Sequence, residues 1–413
     1  MYIARVWPMY DSRMLPHPLT RRQWLGLTAA AAIAPAAERL EITSIKAAPL
    51  SINSMAIPKA GEPLGDFDPK RWRNFGPYAQ LPAAILVQIR TKDGLTGYGV
   101  GGGGAAACLI IEQHLAPMLK RTNALNIELL WEQMFASTSF YGRRGLALQA
   151  ISGIDLALWD LAGKRANLPV YQLLGGPTAE RVKAYYTSNE VERGLKLGFR
   201  AIKIHGFETF RDGPTGLKKN VQKILDARKR AGPETQLMLD ALCAWDAPYT
   251  LELAARAAET KLYFIEEPLL PDDMEGYARL CREIKGPRIA SGEHEASIYG
   301  FRELIRNRAA HILQPDVTWS GGLTDGRRVA AAAEAAGALL IPHRGGSVYG
   351  MTLLLTSHAP ILAESFGTGE SGNELMEMLT TKLVDGHYLP PPGPGFGVEF
   401  PAAFLRKHTP SLA

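Results

Sequence analysis

The feature that most constrains the fold is a repeat of short apolar strand, loop and helix that begins after Glu180. The intervening segments, such as 250–260 and 325–336, are amphipathic or rich in Ala. Strands are predicted at 182–187, 201–204, 236–239, 263–265, 288–290, 311–313, 338–341 and 361–363. Repeated βα units form a parallel barrel, and units that share length but not sequence argue against a solenoid. We therefore predict an α/β fold built on a (β/α) TIM-type barrel.

The residues before the barrel predict a separate α+β domain. Alternating apolar residues at 40–46 and 84–90, with a turn at Asp93-Gly94, indicate a small antiparallel sheet. Two helices are predicted at 105–134 and 143–166. The domains are then an α+β capping domain at 38–178 and the barrel at 179–369. The tail at 370–413, rich in Pro and Gly, is expected to pack on the capping domain.

The N-terminus carries the pattern of an export leader. Arg21-Arg22 precedes an uncharged, Ala-rich stretch that ends in Ala34-Pro35-Ala36. This order is typical of a twin-arginine signal peptide, predicted here at 1–37, and would place the protein in the periplasm. The alternative is a cytoplasmic protein with an N-terminal arm. The apolar run is too short for a permanent membrane anchor.

Charge and cysteine usage favour a small-molecule partner. The formal net charge is +5, and residues 1–36 hold four arginines against one aspartate, so the remainder is nearly neutral. No basic cluster with interleaved aromatics is left to bind nucleic acid. The three cysteines, Cys108, Cys243 and Cys281, are widely spaced and follow no CxxC pattern, which favours free thiols over a disulfide scaffold.

An acidic residue or a histidine follows each of six successive predicted strands. These residues are Asp240, Glu266, Glu293, Asp316, His343 and Glu364, one βα unit apart. In a parallel barrel the carboxyl ends of the strands surround one mouth, where active sites lie. A single acidic residue at such a place often caps the next helix. Six in succession favour a functional site.

Three of these residues suggest a metal site. Asp240, Glu266 and Glu293 come from adjacent strands and offer only oxygen, which suits a hard cation such as Mg²⁺. The sequence has no HxH or HExxH motif, so a zinc hydrolase barrel would lack its ligands. Glu267 and Glu295 stand next to these ligands, and alternation assigns them at most to a supporting or substrate-contacting position.

Two further pairs provide acid–base groups. A carboxylate on one imidazole nitrogen fixes the tautomer and raises the basicity of the other, so Asp316 and His343 are predicted to act as a dyad with His343 as the base. Lys203 and His205 end the second strand on one face. Lys203 could neutralise a substrate carboxylate or act as a second base. His205 could be a second base or bind a substrate hydroxyl.

Several motifs resemble those of the mandelate racemase subgroup of the enolase superfamily. They are IDLALWD at 154–160, IEEP at 265–268, SGEHE at 291–295, QPDV at 314–317 and IPH at 341–343. The segments GFR at 300–302, SVY at 347–349 and PGFG at 394–397 look like L-rhamnonate dehydratases. The resemblance implies Mg²⁺ on Asp240, Glu266 and Glu293, acid–base chemistry by His343 with Asp316, and a homo-oligomer. It also implies that Glu364 hydrogen-bonds an enediolate oxygen.

The expected reaction is Mg²⁺-dependent dehydration of an aldonate-type sugar acid to a 2-keto-3-deoxy acid. Abstraction of the proton α to the carboxylate would give an enediolate intermediate. A racemase, epimerase or cycloisomerase that uses Lys203 or His205 against His343 is the first alternative, and a catalytically silent metal-binding homologue is the second. Substrate contacts are predicted at Arg71, Arg73 and Asn74, in a long loop at 58–82, and at His294.

Overall fold

The computed structural model describes residues 39–50, 84–206, 208–367 and 374–413. The proposed leader, the loop at 58–82 and the predicted contacts Arg71, Arg73 and Asn74 lie outside the described residues. The helices and strands named in this section belong to the unit formed by residues 40–413.

The first part of this unit is a three-stranded antiparallel sheet covered by helices. The strands are β1 (Ile42–Pro49), β2 (Ile85–Thr91) and β3 (Thr96–Gly101), in the order β1-β2-β3. The helices are α1 (Gly104–Ile110), α2 (Ala116–Leu119), α3 (Ile127–Thr138), α4 (Leu146–Ala166) and α5 (Val170–Leu173), with a π-helical turn at Ile111–Leu115 between α1 and α2. Among the described residues, α4 has the length and hydropathy of a membrane span, and 78% of that stretch is buried inside the protein.

The prediction of one continuous helix over 105–134 is wrong. The helix ends at Leu119, because Lys120 is extended (ψ 135°) and Arg121 has a φ of 70°. The backbone after this break pairs with the start of the sheet instead: Ile42 N donates to the Thr122 carbonyl at 3.0 Å and Arg121 N to the Ile42 carbonyl at 2.9 Å. These long-range hydrogen bonds replace the helical ones that the local pattern suggested.

The second part is the predicted parallel barrel. Its strands are β4 (Val182–Thr187), β5 (Ala201–His205), β6 (Gln236–Asp240), β7 (Phe264–Glu266), β8 (Arg288–Ser291), β9 (Ile312–Leu313), β10 (Leu339–Leu340) and β11 (Ala363–Ser365). They pair in sequence from β4 to β10, and β11 pairs with β4 in parallel. Each predicted strand overlaps an observed one, and β11 is displaced furthest, beginning at the last residue of its predicted range. The α/β barrel fold is confirmed.

Helices connect the strands and surround them. They are α6 (Val191–Lys196), α7 (Gly213–Ala231), α8 (Ala247–Arg256), α9 (Met274–Glu283), α10 (Ser297–Arg306), α11 (Gly322–Ala336) and α12 (Val348–Leu355). One large apolar cluster fills the space between strands and helices. The helix predicted at 325–336 begins three residues earlier, and the one predicted at 250–260 is α8 followed by a 3₁₀ turn at Ala258–Thr260.

The barrel interior is apolar at its base and charged at its mouth. Ala201, Met238 and Phe264 belong to a small buried cluster inside the strands. Because side chains alternate along a strand, the residue two positions further on points inward as well. This places Lys203, Asp240 and Glu266 in the next layer, at the carboxyl ends of β5, β6 and β7.

The C-terminal tail contains α13 (Glu374–Leu379), β12 (Leu383–Val384), β13 (His387–Tyr388) and α14 (Ala402–His408). It contacts both α4 and the first sheet. Phe396 N donates to Asp160 Oδ1 at 3.2 Å, and Lys164 Nζ lies 2.9 Å from Glu399 Oε1. Gln88 Nε2 of β2 donates to the Leu412 carbonyl at 3.3 Å.

Candidate active site

Three carboxylates meet at the mouth of the barrel. Asp240 and Glu266 are the last residues of β6 and β7, and Glu293 follows β8 by two residues. Burial raises the pKa of all three. Lys203 opposes this rise for Asp240 and Glu266, His343 opposes it for Glu293, and neighbouring carboxylates add to it. A cluster of this kind is stabilised by a cation.

The donor set fits Mg²⁺. The three side chains supply only carboxylate oxygens, and Glu293 keeps 16% of its side chain exposed towards the opening of the site. Hard divalent cations prefer such ligands, and Mg²⁺ is held by few carboxylates together with water or substrate oxygens. Replacing mutual repulsion by a shared cation would reverse the rise in pKa of these carboxylates.

Lys203 is the buried cation beneath this cluster. Its ammonium contacts Glu266 Oε1, lies 2.8 Å from Glu364 Oε1 and 3.9 Å from Asp240 Oδ2. Burial lowers the pKa of Lys203, but the surrounding carboxylates raise it well above its ordinary value. Lys203 therefore carries a fixed positive charge in this arrangement.

His343 and Asp316 form the predicted contact. His343 Nδ1 lies 2.7 Å from Asp316 Oδ2, while Asp316 Oδ1 accepts hydrogen bonds from Thr318 N at 2.7 Å and Thr318 Oγ1 at 2.6 Å. Thr318 thus holds one oxygen of the Asp316 carboxylate, and the other oxygen keeps a proton on His343 Nδ1. His343 Nε2 faces the mouth, 3.8 Å from Glu293 Oε2 and 3.8 Å from Glu364 Oε2.

The surroundings of His343 favour its protonated form. Burial lowers the pKa of His343, whereas Glu293, the hydrogen bond to Asp316 and Glu364 together raise it to about 9. Glu293 is one of the predicted Mg²⁺ ligands, so a cation that neutralised Glu293 would also lower the pKa of His343.

Glu364 accepts hydrogen bonds from three directions. Thr187 Oγ1 donates at 2.6 Å, Arg344 N donates at 2.9 Å, and Lys203 Nζ lies 2.8 Å away. Burial raises the pKa of Glu364, but Lys203, His343 and these hydrogen bonds lower it to about 2. The carboxylate is therefore ionised, so a hydrogen bond from Glu364 to a substrate oxygen requires that it first gain a proton.

His205 lies on the Lys203 side of the mouth. Its Nε2 is 3.6 Å from Asp240 Oδ2, and its backbone N donates to Asn189 Oδ1 at 3.0 Å. Burial and the charge of Lys203 lower the pKa of His205 to about 4. Its imidazole is neutral at ordinary pH and can accept a proton.

The two carboxylates next to the predicted ligands have different partners. Glu267 pairs with His294, whose Nδ1 is 2.8 Å from Glu267 Oε2 and 3.7 Å from Glu293 Oε1. Glu295 lies 3.2 Å from Arg144 of the loop before α4, and Arg144 also contacts Asp272 at 2.9 Å. Glu295 therefore connects the first part of the unit with the barrel mouth.

Sequence reasoning missed several residues that support the site. Gln314 Nε2 donates to Glu266 Oε2 at 2.5 Å, and Thr187 holds Glu364. Both end or directly follow a barrel strand, so applying the strand-end rule to β4 and to every polar residue would have found them. Trp319, 5.2 Å from the His343 ring, and Arg344, 4.5 Å above the Trp319 ring, follow no periodic signal.

A cavity of about 80 Å³ adjoins these groups. Its walls include Trp319, Arg344, Glu364 and Phe366 from the barrel and Val100 from β3. The space beside the dyad is therefore bounded by aromatic and charged side chains of the barrel and by the apolar side chain of Val100 from the first sheet.

Two family models match the chain. Residues 187–403 match the enolase C-terminal domain-like family, and residues 79–175 match the mandelate racemase / muconate lactonizing enzyme N-terminal domain. The second match covers most of the sheet and helices before the barrel, and the first covers nearly all of the barrel.

Individual relatives agree with these matches. An L-rhamnonate dehydratase from Saccharopolyspora erythraea is 38% identical over 335 residues, which is 78% of this chain and 85% of the relative. The structure of rhamnonate dehydratase from Gibberella zeae complexed with Mg is 30% identical, with a TM-score of 0.77 over 91% of this chain and 98% of that one. A 3,6-anhydro-D-galactonate cycloisomerase from Zobellia galactanivorans is 32% identical, with a TM-score of 0.69 over 76% and 91%.

Proposed function

This chain belongs to the mandelate racemase / muconate lactonizing enzyme family of the enolase superfamily, and from that premise we propose that it dehydrates a rhamnonate-like sugar acid. The product is a 2-keto-3-deoxy acid. The observation that carries the proposal is the 2.7 Å contact between His343 Nδ1 and Asp316 Oδ2 beside the carboxylate cluster. It supplies a directed base next to a cation site, as abstraction of a proton α to a carboxylate requires.

The chain is an enzyme, and its cofactor is Mg²⁺. Asp240, Glu266 and Glu293 would hold the ion. When bound, it supplies a Lewis acid that stabilises the second negative charge developing on the substrate carboxylate. Gln314 fixes the orientation of Glu266 by donating to its Oε2.

His343 carries the proton in our mechanism. In its neutral form Nε2 accepts the α proton, and the C–H electron pair becomes the carbon–carbon double bond of an enediolate. Asp316 keeps the other proton on Nδ1 and stabilises the imidazolium that forms. The C–O bond on the neighbouring carbon then breaks, His343 returns its proton to the departing hydroxide as water, and the enol product tautomerises to the keto acid.

Lys203 offsets part of the negative charge at the mouth, and Glu364 holds Lys203 in place. Lys203 is a buried cation between Glu266 and Glu364, so it offsets negative charge without moving. Glu364 is held by Thr187 and Arg344 and positions Lys203 from the opposite side. Preorganised charges of this kind favour the transition state because they need no rearrangement during the reaction.

An isomerase or cycloisomerase is the second candidate, favoured by His205. Its neutral imidazole lies on the face of the mouth that Lys203 occupies, where it could accept the α proton while a protonated His343 delivers a proton to the α carbon from the opposite side. The similarity to a cycloisomerase is in keeping with this alternative. The two reactions share the enediolate and differ in the fate of that intermediate.

The test is incubation with Mg²⁺ and a library of sugar acids in D₂O, with 2-keto acid formation and α-deuterium exchange read together. We expect keto acid from the wild type and none from His343→Asn, and a loss of about 10²–10⁴-fold in kcat from Asp316→Asn, because the base loses its orientation. Chelation of Mg²⁺ should abolish the product.

One variant serves as a control, and the two readouts distinguish the two reactions. His358→Asn changes an exposed histidine away from the mouth and should keep full activity. Deuterium exchange without keto acid would favour the isomerase. Keto acid from His343→Asn would exclude this mechanism, and neither signal across a broad library would favour a silent homologue.

A further inference from the structure

A second group of metal-ligating side chains lies beside the carboxylate cluster and takes no part in the proposed dehydration. Cys243 follows β6, Glu267 follows β7 and His294 follows β8. Their ligand atoms all lie within 4.8 Å of one another. We propose that these three residues form a second cation site, selective for a soft or borderline divalent ion such as Zn²⁺ or Co²⁺.

The distances fit a single shared ion. Glu267 Oε2 lies 2.8 Å from His294 Nδ1 and 3.3 Å from Cys243 Sγ. Ligand atoms about 2.0–2.3 Å from a tetrahedral ion lie roughly 3.4–3.7 Å from one another. Small side-chain movements therefore open the cluster enough to admit the ion, and a water molecule from the mouth would complete the tetrahedron.

One carboxylate oxygen of Glu267 in this cluster lacks a hydrogen-bond partner among the described residues. This oxygen is Oε1, and Glu267 is 2% exposed. A buried carboxylate oxygen without a donor is costly and is rare in folded proteins. A metal ion bound by Glu267 would satisfy this carboxylate more fully than His294 and the weak thiol donor do.

Ligand chemistry separates the two sites. A thiolate and an imidazole select borderline ions such as Zn²⁺ and Co²⁺, whereas the carboxylates Asp240, Glu266 and Glu293 suit Mg²⁺. Binding exchanges protons for the ion: the thiol of Cys243 loses one proton, and a protonated His294 loses the one on Nδ1. Both protons leave to solvent, and no oxidation is involved.

The negative charge at the mouth of the barrel favours binding of a second cation. Asp240, Glu266 and Glu364 lie around Lys203, and Glu267 and Glu293 lie close enough to raise the pKa of Asp240. A bound Mg²⁺ and Lys203 together carry three positive charges against these five carboxylates. His294 keeps 30% of its side chain exposed, so an ion can reach the site from solvent although Cys243 and Glu267 are buried.

Cobalt tests the proposal by spectroscopy. Full-length protein saturated with Mg²⁺ in a thiol-free reductant would be titrated with Co²⁺. We expect a near-ultraviolet sulfur-to-cobalt charge-transfer band that saturates at one equivalent. Co²⁺ in the carboxylate site cannot produce this band because that site has no sulfur. The band should survive excess Mg²⁺.

Variants identify the sulfur and the other ligands. Cys243→Ser should lose the band, while Cys108→Ser, a change of a buried cysteine in α1, should keep it. Glu267→Gln and His294→Ala should each raise the Kd for Co²⁺ at least tenfold. These two variants decide the matter if Cys243→Ser does not fold.

Three results would overturn the proposal. They are a wild type without the band, a band that persists in Cys243→Ser, and Kd values unchanged in both Glu267→Gln and His294→Ala. Simple competition by Mg²⁺ would show one shared site instead of two and would also reject it. The readout needs no turnover, so a failed dehydratase assay leaves the outcome of this experiment unaffected.

Discussion

Asp155 is a buried carboxylate with no positively charged partner among the residues that the structure describes. It lies in α4, fully buried, and accepts hydrogen bonds from Thr324 Oγ1 at 2.5 Å and Thr324 N at 3.0 Å. Burial raises its pKa to about 7; Thr324 opposes the shift and Glu128 adds to it. The pKa of Asp325, close by in α11, is also raised to about 7 by burial, against the charge of Arg328.

Replacing Asp155 by Asn should change how stability depends on pH. A raised pKa means that the folded state binds the proton more tightly than the unfolded state. The stability that protonated Asp155 contributes to the folded state is complete below pH 3.8, the ordinary pKa of an aspartate. It is lost as the pH rises towards 7, the raised pKa. We therefore expect Asp155→Asn to gain stability relative to the wild type as the pH rises from 5 to 7, by up to about 1.4 kcal/mol per pH unit. Urea unfolding with saturating Mg²⁺ at pH 5, 6, 7 and 8 measures the difference.

The control is Glu252→Gln, which alters an exposed carboxylate paired with Arg256. It should shift the free energy of unfolding by less than about 0.5 kcal/mol at each pH. Wild-type and Asp155→Asn curves that run parallel across the whole range would mean that Asp155 does not titrate as its burial implies.

The contact between β3 and α4 depends on a stripe of glycines. Gly97, Gly99 and Gly101 alternate along the strand and so face the helix together. A Cβ on Gly99 would lie 2.2 Å from the Gly153 carbonyl oxygen and 2.5 Å from Ala157 N. Both are backbone atoms of α4, so no side-chain rotation can relieve the overlap.

Gly99→Ala should therefore push the helix from the sheet. We expect a loss of about 1–3 kcal/mol in the free energy of unfolding, as overpacking a tight interface commonly costs, seen as a lower melting temperature. Thr96→Ala, on the opposite face of the same strand, should cost less than about 1 kcal/mol. Equal melting temperatures for the two variants would contradict the role given to the stripe.

The barrel strands and their polar ends follow from short-range patterns, which explains why the sequence predicts them well. Each strand is a brief apolar run, and alternation then assigns Lys203, Asp240 and Glu266 to the inside. The break after Leu119 was missed because its cause is a hydrogen bond to residue 42, far away in the chain. The Cys243 cluster was missed for the same reason, since its members meet only once the barrel closes.

Hydrogen bonds join two helices of the capping domain to the barrel segment that follows Asp316 of the dyad. Trp131 Nε1 of α3 donates to the Gly321 carbonyl at 2.6 Å, and Trp159 Nε1 of α4 donates to Thr324 Oγ1 at 2.9 Å. Gly321 and Thr324 lie at the start of α11, a few residues after Asp316 and Trp319. The position of the first domain therefore bears directly on the groups beside His343.

The export leader proposed at 1–37 makes a prediction about the whole protein. Twin-arginine export carries folded passengers, which suits an enzyme that must close its barrel and bind Mg²⁺ before it leaves the cytoplasm. When the full-length protein is expressed in a bacterium with a twin-arginine translocase, we expect it in the periplasm. Mass spectrometry should show that its N-terminus lies near Ala36 or Ala37.

Two variants test the role of the arginine pair. Replacing Arg21 and Arg22 by Lys should hold the full-length form in the cytoplasm, whereas Arg13→Lys should not. Wild-type protein that keeps residues 1–37 and stays in the cytoplasm would establish the cytoplasmic alternative, and the reducing compartment would then keep Cys243 available for the second cation site.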